Sequence, residues 1–276
     1  MTTVLLLERL ALRGPGLAGW AQARAALRGE TASDQEAAEG GAEPELPPVT
    51  LLAANERRRL TATLRLALAL AQEASDDLDL AERAALPTVF ASAMGDSDIT
   101  DRICHALAEP QPALSPTLFH NSVHNAPAGY WSVACASRAP SISVAAGEQT
   151  AGAGALEAIA QLRYRAGGSL LYVLYDTSPP LRLQPHMGIE MSFGMALRIG
   201  LAESTCVRPP AHVAHLHAAP TNQPVTVLPS PWERLRTASP AAHWLGLAVA
   251  VARQWPVVVV PLDAQRNLEI RLECAP

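Results

Sequence analysis

The chain has 276 residues, of which 49% are hydrophobic and 4% aromatic, and it carries a formal net charge of −5. This length and apolar content suffice for a full buried core, so the chain is predicted to be globular, with one or two domains. A negative net charge argues against a nucleic-acid partner, because binding phosphates requires a basic face. All basic residues are Arg, and the absence of Lys excludes Schiff-base chemistry, pyridoxal-phosphate attachment and a P-loop lysine.

The cysteines and the apolar segments predict a reduced, cytoplasmic protein without a membrane span. The cysteines are Cys104, Cys135, Cys206 and Cys274. Their wide spacing without a C-x-x-C pair is typical of free thiols and not of a disulfide framework or a zinc site. Glu8 directly follows a short apolar run at the start, which predicts no signal peptide. Polar residues and Pro256 interrupt the apolar stretch 241–262, which is therefore too short to cross a bilayer.

Predicted strands and helices alternate along the first part of the chain. In order, the pattern predicts a strand at Thr3–Leu12, a helix to about Leu27, an acidic surface loop over 29–48, a helix from an Asn55 N-cap to Ala74, a buried strand at Pro87–Met94, a helix capped by Asp96 or Ser97 that ends at Leu107, and strands at Ser141–Ala145, Ser169–Tyr175 and Ile189–Leu201. This alternation predicts an α/β protein with a mainly parallel sheet covered on both faces.

The last part of the chain has fewer predicted elements. A Pro-rich linker is predicted over 205–240, followed by a helix at Ala241–Arg253 and strands at Val257–Leu262 and Leu268–Glu273.

The stretch Asn125–Ile159 predicts a short helix, a buried strand, a sharp turn of small residues and an Ala/Gly-rich helix. A strand–turn–helix presents a group at a helix N-terminus, where the dipole and free N–H groups favour negative charge. Glu148 and Gln149 stand at the tip of this turn, and neither is a competent nucleophile for acyl transfer. The sequence therefore predicts the scaffold of a catalytic site without its reactive atom, or simply an acid that caps the helix.

These residues resemble the β-ketoacyl synthase branch of the thiolase superfamily. Asn125, Ala128 and Gly129 match its N-x-x-A-G helix start, and Pro140–Ser143 matches its G-P-S-x-S strand. Counted without gaps, the cysteine of the family's A-C-x-S-G motif falls on Glu148. A shift of one residue aligns Gln149 instead, and both registers remove the thiol. Blocks 53–74, 88–107 and 119–132 resemble the short ketosynthase-like subunits, or chain-length factors, of aryl-polyene-type clusters.

The resemblance implies a thiolase-like layered fold with one complete βαβαβαββ half and a truncated second half. The corresponding domains are an N-terminal-like half over 1–204, the linker over 205–240, and a remnant of the second half over 241–276 that packs on the same core. The family's paired histidines come from G-T-x-T and G-H-x-x-G segments of the second half. The chain contains no G-H-x-x-G, so these histidines are expected to be missing. The shortened half is expected to leave apolar surface that a partner covers.

The resemblance further implies a catalytically inactive subunit that pairs with an active ketosynthase and helps to elongate polyene or fatty-acyl-type chains on an acyl carrier protein. It implies no catalytic residue, cofactor or metal. The expected pocket or interface residues are Glu148, Gln149, Asn125, His124, His120 and Tyr130. Two alternatives stay open. One is a stand-alone malonyl decarboxylase or acyl-transfer enzyme that uses Glu148 with His120 or His124, and the other is a non-enzymatic module that docks a carrier protein.

Two further patterns are interpreted as structural. Ala134–Ser137 spells A-C-x-S, but Pro140 prevents a helix from starting there to lower the thiol pKa, so Cys135 is predicted to be a small buried residue. His212, His215 and His217 have the spacing of metal ligands, yet they lie in the Pro-rich linker with no acidic ligand beside them, which predicts no metal site.

Overall fold

The strands of this protein form one mixed sheet in a computed structural model that describes residues 3–30, 38, 40–41, 43–111, 113–165, 168–202 and 213–274. They are β1 (Thr3–Gly14), β2 (Leu17–Ala18), β3 (Thr88–Ala91), β4 (Ser141–Val144), β5 (Ser169–Asp176), β6 (Phe193–Leu201), β7 (Ala214–Thr221), β8 (Val257–Pro261) and β9 (Asn267–Cys274). Their order across the sheet is β4-β3-β5-β6-β1-β7-β9-β8, with β2 beside β1.

Most neighbouring strands run antiparallel, so the prediction of a mainly parallel sheet is wrong. Of the described pairs, β3–β4 and β3–β5 are parallel, and the others are antiparallel. A parallel pair needs a long crossover, usually through a helix, whereas an antiparallel pair can follow a short connection. β8 and β9 are consecutive strands that pair antiparallel. The antiparallel pair β1–β7 joins the part of the sheet formed by β1 to β6 to the part formed by β7 to β9.

The strand order is mirrored about the β1–β7 pair. On one side β1 is followed by β6 and β5, and on the other side β7 is followed by β9 and β8. In the first part of the sheet, the first strand in sequence, β1, lies beside the last strand, β6, and β5 comes next. In the second part, the first strand, β7, likewise lies beside the last strand, β9, and β8 comes next. The first part continues with β3 and β4, while the described second part ends at β8. That this second part is a truncated copy of the first stays a prediction.

Helices cover the sheet in two layers, as the α/β prediction requires. They are α1 (Trp20–Arg28), α2 (Ala54–Arg57), α3 (Ala62–Glu73), α4 (Leu80–Ala85), α5 (Ser97–Ala108), α6 (Pro116–Asn121), α7 (Ala126–Cys135), α8 (Thr150–Tyr164), α9 (Gln184–Met187), α10 (Trp232–Thr237) and α11 (Leu245–Arg253). α1, α8 and α11 contribute to the core on one face, and α3 and α7 to the core on the other. None of the helices in the described ranges has the length and apolar character to cross a bilayer.

The helix predicted from Asn55 to Ala74 is two helices, α2 and α3. The hydroxyl of Thr61 accepts a hydrogen bond from the backbone N–H of Leu64 at 3.2 Å, so Thr61 is the N-cap of α3. Asn55 lies inside α2 and is not the N-cap. Thr is a favoured N-cap residue, so Thr61 is a local signal for the start of a new helix. This signal, which follows the arginines at 57–59, was missed in the sequence.

The predicted linker 205–240 contains regular structure. It includes β7, which pairs with β1 and β9 near the middle of the sheet, and α10. Ala214, Leu216 and Ala218 of β7 are buried in alternation with half-buried residues, which is the two-residue period of a strand. Flanking prolines obscured this period in the sequence. The proposed domain boundary at 204/205 lies outside the described residues.

The outward face of β7 and β9 is polar, whereas the expectation that the second half leaves apolar surface for a partner stays a prediction. Its outward residues include His215, His217, Glu269, Arg271 and Glu273. Nε2 of His217 lies 3.6 Å from Oε1 of Glu273, and Nε of Arg271 lies 3.0 Å from Oε1 of Glu269. An antiparallel sheet can face water on one side when its outward residues are polar, as they are on this face of β7 and β9.

Candidate functional site

The predicted strand–turn–helix is confirmed and forms an elbow, defined here as residues 141–152. β4 leads into a 3₁₀ turn over Gly147–Gln149, and α8 begins at Thr150. The hydroxyl of Thr150 donates to the carbonyl of Gly147 at 2.7 Å and accepts from the N–H of Ala146 at 2.9 Å. Gly147 has φ +54°, a backbone conformation that favours glycine. Small residues and one hydroxyl thus make the sharp turn.

β4 is not the buried strand that the sequence predicts. It pairs with β3 and ends the sheet on that side. Ile142 on this strand is 41% exposed, and the other residues of β4 are half-buried. The backbone of an edge strand is hydrogen-bonded to another strand on one side only. Its sequence can still be a short apolar run, so this run alone did not distinguish β4 from a central strand.

At the tip of the elbow, Glu148 contacts a histidine that sequence reasoning missed. Nδ1 of His243 lies 3.0 Å from the backbone oxygen of Glu148, and its Nε2 lies 3.5 Å from Oε2 of the same residue. The His243 side chain is 15% exposed, whereas that of Glu148 is 60% exposed. His243 belongs to the 3₁₀ helix Pro240–Trp244 that leads into α11. The 3₁₀ helix Pro240–Trp244 therefore contributes a side chain to the elbow, although it comes much later in the sequence.

The contact with the backbone fixes the tautomer of His243. A carbonyl oxygen can only accept, so Nδ1 carries the hydrogen and Nε2 of the neutral ring carries a lone pair. Burial lowers the pKa of His243 below its usual range, and the Glu148 carboxylate acts in the opposite direction. At neutral pH Nε2 is therefore a proton acceptor that faces the end of the Glu148 side chain.

A cavity of about 130 Å³ adjoins this contact. It is lined by Glu148, Gln149, Ala151, Gly152, Arg236, His243, Pro261, Leu262 and Asp263. Nε of Arg236 donates to Oε2 of Glu233 at 2.9 Å, so this guanidinium is already neutralised. A Cβ added at Gly188 would lie 3.3 Å from Oε1 of Glu148, which means that the loop before β6 also adjoins the carboxylate. The cavity has room for a small group and not for a long acyl chain.

The structure therefore places one histidine at the elbow, and the expectation that the family's paired histidines are missing stays a prediction. The signal was present as His243-x-x-Gly246, which matches H-x-x-G, but Ala242 replaces the first glycine of the motif. The structure also bears on the two registers. Glu148 contacts His243, while Gln149 lines the same cavity and makes no capping hydrogen bond with its side chain.

The other predicted site residues lie elsewhere. Nε2 of His124 donates to the carbonyl of Ser92 at 3.0 Å, and the described contacts do not join it to Glu148. His120 packs edge-on against Tyr130, with ring centroids 6.2 Å apart. Asn125 is the N-cap residue of α7, and its side chain makes no capping hydrogen bond. Five of the six predicted residues therefore divide between two sites, Glu148 and Gln149 at the elbow and His120, Asn125 and Tyr130 at a second site, while His124 lines neither.

The second site is a groove between α6 and α7, with a volume of about 560 Å³. It is lined by Glu56, Pro116, Phe119, His120, Val123, Asn125, Ala126, Gly129, Tyr130 and Val133. Phe119 is 65% exposed and Val133 is 71% exposed. Behind them, the Tyr130 hydroxyl donates to Oδ1 of Asn121 at 3.0 Å. The groove is an apolar surface on a hydrogen-bonded support.

The structural interpretation of Cys135 is confirmed. This residue is buried, and burial raises the pKa of its thiol to about 11, so it is not a nucleophile at neutral pH. Cys104 is exposed, and Cys206 lies outside the described residues together with His212. Within the described part of the chain, no group of three His, Cys, Asp or Glu residues is placed to hold a metal ion.

A buried carboxylate connects the elbow histidine to the centre of the sheet. Asp176, at the end of β5, accepts from the hydroxyl of Ser92 at 2.8 Å, from the N–H of Ala93 at 2.9 Å and from the N–H of Ala241 at 3.1 Å. Ala241 lies two residues before His243 in the same 3₁₀ helix. Asp176 therefore holds the segment that positions His243.

Asp176 is expected to make stability depend on pH. Burial raises its pKa from 3.8 to about 7, so its contribution to stability is fully present below pH 3.8 and is lost as the pH rises through 7. Between pH 4 and pH 8 we expect this group to lower the free energy of unfolding by at most about 4 kcal/mol. Urea unfolding of the wild type and of Asp176→Asn at several pH values measures this contribution. If the free energy of unfolding changes with pH equally in both proteins, the prediction is contradicted.

Comparisons with known proteins show the family and the fold. The model of the family "Beta-ketoacyl synthase, N-terminal domain" matches residues 30–228. The ketosynthase ApeO in complex with its chain length factor ApeC, from Xenorhabdus doucetiae, gives a TM-score of 0.68 at 19% identity, over 97% of this chain and 99% of that chain. No curated protein sequence matches the chain.

Two further solved structures give similar values. The ishigamide ketosynthase/chain length factor gives a TM-score of 0.65 at 14% identity, over 99% of this chain and 100% of that chain. A chain of the AntDE:AntF complex, a type II acyl-carrier protein with its hexaketide-bound ketosynthase, gives 0.73 at 8% identity over 100% of both chains. At these identities the likeness shows a shared fold.

Proposed function

Because the chain belongs to the β-ketoacyl synthase family by its N-terminal domain, we propose that it is a chain-length-factor type of subunit that does not itself condense acyl groups. It would pair with an active ketosynthase while that enzyme elongates a polyene or fatty-acyl-type chain on an acyl carrier protein. The observation that carries this proposal is Glu148 at the tip of the elbow. A carboxylate stands there against His243, where acyl transfer requires a nucleophile.

The two edges of the sheet differ in a way that supports a partner on one of them. At the β8 edge, the N–H of Thr226 donates to the carbonyl of Val259 at 3.0 Å, and its hydroxyl accepts from the N–H of Val259 at 2.9 Å. This segment covers the backbone of β8. In the described part of the chain, the β4 edge has no such cover. Uncovered edge strands are sites of strand pairing with another chain, so β4 is where we expect the partner.

Apolar side chains supply the rest of the proposed interface. Val133 at the end of α7 and Phe119 on α6 are both more than half exposed, and α7 packs next to β4. Contiguous exposed apolar surface of this kind marks protein–protein interfaces. The partner is expected to close the groove, so that His120, Asn125 and Tyr130 would line a shared pocket.

The test is co-expression with an active ketosynthase of the same family, followed by purification of the complex. We expect a one-to-one complex, and Val133→Glu is expected to weaken it at least tenfold, because a charge would be buried at the interface. Val227→Glu is the matched control, since Val227 is 74% exposed and lies beside the covered β8 edge. Equal weakening by both variants, or none by Val133→Glu, would contradict the proposed interface.

Product length distinguishes a chain-length factor from a module that only docks a carrier protein. Gly129 lines the groove, and nothing lies within 4 Å of a Cβ added there. Gly129→Phe should therefore fit the free chain and shorten the acyl products of the pair. Unchanged products in an intact complex would favour the docking module.

The alternative of malonyl decarboxylation meets a physical difficulty. Stabilising an enolate requires hydrogen-bond donors, and Nε2 of neutral His243 is an acceptor. The Glu148 carboxylate would also repel a malonyl carboxylate. We therefore expect no release of carbon dioxide from malonyl thioesters by the isolated chain at pH 7.5. Decarboxylation that is lost in His243→Ala would support the alternative instead.

A further inference from the structure

A series of hydrogen bonds and short backbone segments connects the groove to the elbow through the interior. It begins at His124, which lies between two residues that line the groove, Val123 and Asn125. Nε2 of His124 donates to the carbonyl of Ser92 at 3.0 Å. A Cβ added at Gly95 would lie 3.3 Å from Cδ2 of His124, so the ring also packs closely against the turn after β3. The loop between α6 and α7 is therefore fixed to this turn.

Asp176 continues the connection from the turn after β3 to the elbow. Its Oδ1 accepts from the hydroxyl of Ser92 at 2.8 Å and from the N–H of Ala93 at 2.9 Å. Its Oδ2 accepts from the N–H of Ala241 at 3.1 Å. Ser92, Asp176 and Ala241 are each 0% exposed, so water does not replace these bonds. One carboxylate thus joins the turn to the 3₁₀ helix that contains His243.

We propose that Asp176 is a positioning residue that couples the groove to the elbow, so that a partner seated in the groove changes the contact between His243 and Glu148. This inference rests on the proposed function, which supplies the partner. If the turn after β3 moved and Asp176 did not follow it, buried donors would be left without their acceptor, which is costly in a dry interior. The displacement therefore reaches Ala241 and, two residues later, His243, whose Nδ1 lies 3.0 Å from the backbone oxygen of Glu148.

The contact at the elbow is sensitive to small displacements. Nε2 of His243 lies 3.5 Å from Oε2 of Glu148, which is longer than a usual hydrogen bond. A nearby carboxylate favours the charged form of an imidazole, so the pKa of His243 rises when the two groups approach and falls when they separate. The pKa of His243 is therefore a readout of the coupling that a purely structural role of Asp176 would leave unchanged.

The first test follows the histidine NMR signals of the isolated full chain against pH, with His243→Gln to assign the His243 signal. His124→Ala removes the donor to Ser92 and is expected to change the protonation constant of His243 by at least about twofold. His124→Gln, whose amide can donate to the same carbonyl, should retain the wild-type value. His120→Ala is the matched control, because His120 packs against Tyr130 in the same groove, and it should also leave the value unchanged.

Asp176→Asn tests the middle of the connection. An amide has a single oxygen, so this side chain cannot accept from both sides as the carboxylate does. In this background His124→Ala should no longer change the protonation constant of His243, while thermal melting reports which variants are folded. An equal change with and without the Asp176 carboxylate, or a folded His124→Ala protein that behaves like His120→Ala, would overturn the proposal.

The second test follows the same signal in the complex with the active ketosynthase. The partner is expected to change the protonation constant of His243 in the wild type by at least about twofold and not in Asp176→Asn. A complex that forms without this change would overturn the coupling and leave the pairing standing. Failure to form a complex would instead contradict the proposed function, and the isolated chain would still decide whether Asp176 connects the two sites.

Discussion

Gly152→Ala is expected to destabilise the protein by about 3 kcal/mol or more, because no room exists for a side chain at this position. Gly152 is buried in the first turn of α8, and a Cβ there would lie 1.7 Å from the backbone oxygen of Leu262 and 2.5 Å from its carbonyl carbon. Backbone atoms cannot rotate away as a flexible side chain can. α8 would have to move away from the segment after β8, and the elbow would move with it.

The matched control is Gly129→Ala. Gly129 is also a helical glycine, but it is exposed on α7, and nothing lies within 4 Å of its added Cβ. In an exposed helix Ala is favoured over Gly by about 0.5–1 kcal/mol, so this variant should be as stable as the wild type or more so. Urea unfolding of both variants measures the difference. A Gly152→Ala protein as stable as the control would mean that α8 does not pack this closely against Leu262.

Local patterns in the sequence predicted the elbow well. Ser141–Val144, the small residues of the turn and the Ala/Gly-rich helix all act over a few residues, and each has a local physical cause. Asp96 likewise caps α5 as its position predicts, since its Oδ1 accepts from the N–H of Ile99 at 3.1 Å. The chemistry at the tip was predicted only in part, because its second component lies 95 residues further along the chain.

Long-range order was predicted poorly for a related reason. Whether a strand lies at an edge or in the centre depends on which strand reaches it later in the chain. β4 was therefore taken as buried, and β7 was overlooked although it lies in the middle of the sheet. The polar outer face of β7 and β9 also follows from pairing, which places His215 opposite Glu273. Local periodicity contains no information about these partners.

Arg198→Met is expected to cost about 3–5 kcal/mol of the free energy of unfolding, because it leaves a buried carboxylate without its partner. The Arg198 side chain is 2% exposed on β6, and its Nε donates to Oε2 of Glu8 at 2.8 Å. Glu8 is 5% exposed and retains only the hydroxyl of Ser169, at 2.6 Å from its Oε1, as a described side-chain partner. Glu8→Leu combined with Arg198→Met should recover much of the loss, since a well-packed apolar pair can replace a buried ion pair.

The contact between Arg198 and Asp77 is expected to make the free energy of unfolding fall at acidic pH. Nη1 and Nη2 of Arg198 donate to Oδ1 and Oδ2 of Asp77 at 2.7 and 2.8 Å, and these bonds lower the pKa of Asp77 from 3.8 to about 2. The stability that Asp77 contributes is therefore present above pH 3.8 and is lost as the pH falls towards 2. Urea unfolding between pH 7 and pH 2 should show this loss in the wild type and not in Arg198→Met. Parallel dependences of the free energy of unfolding on pH in the two proteins would mean that Arg198 does not hold Asp77 ionised. If the double variant Glu8→Leu with Arg198→Met is no more stable than Arg198→Met, Glu8 is not the group left unpaired.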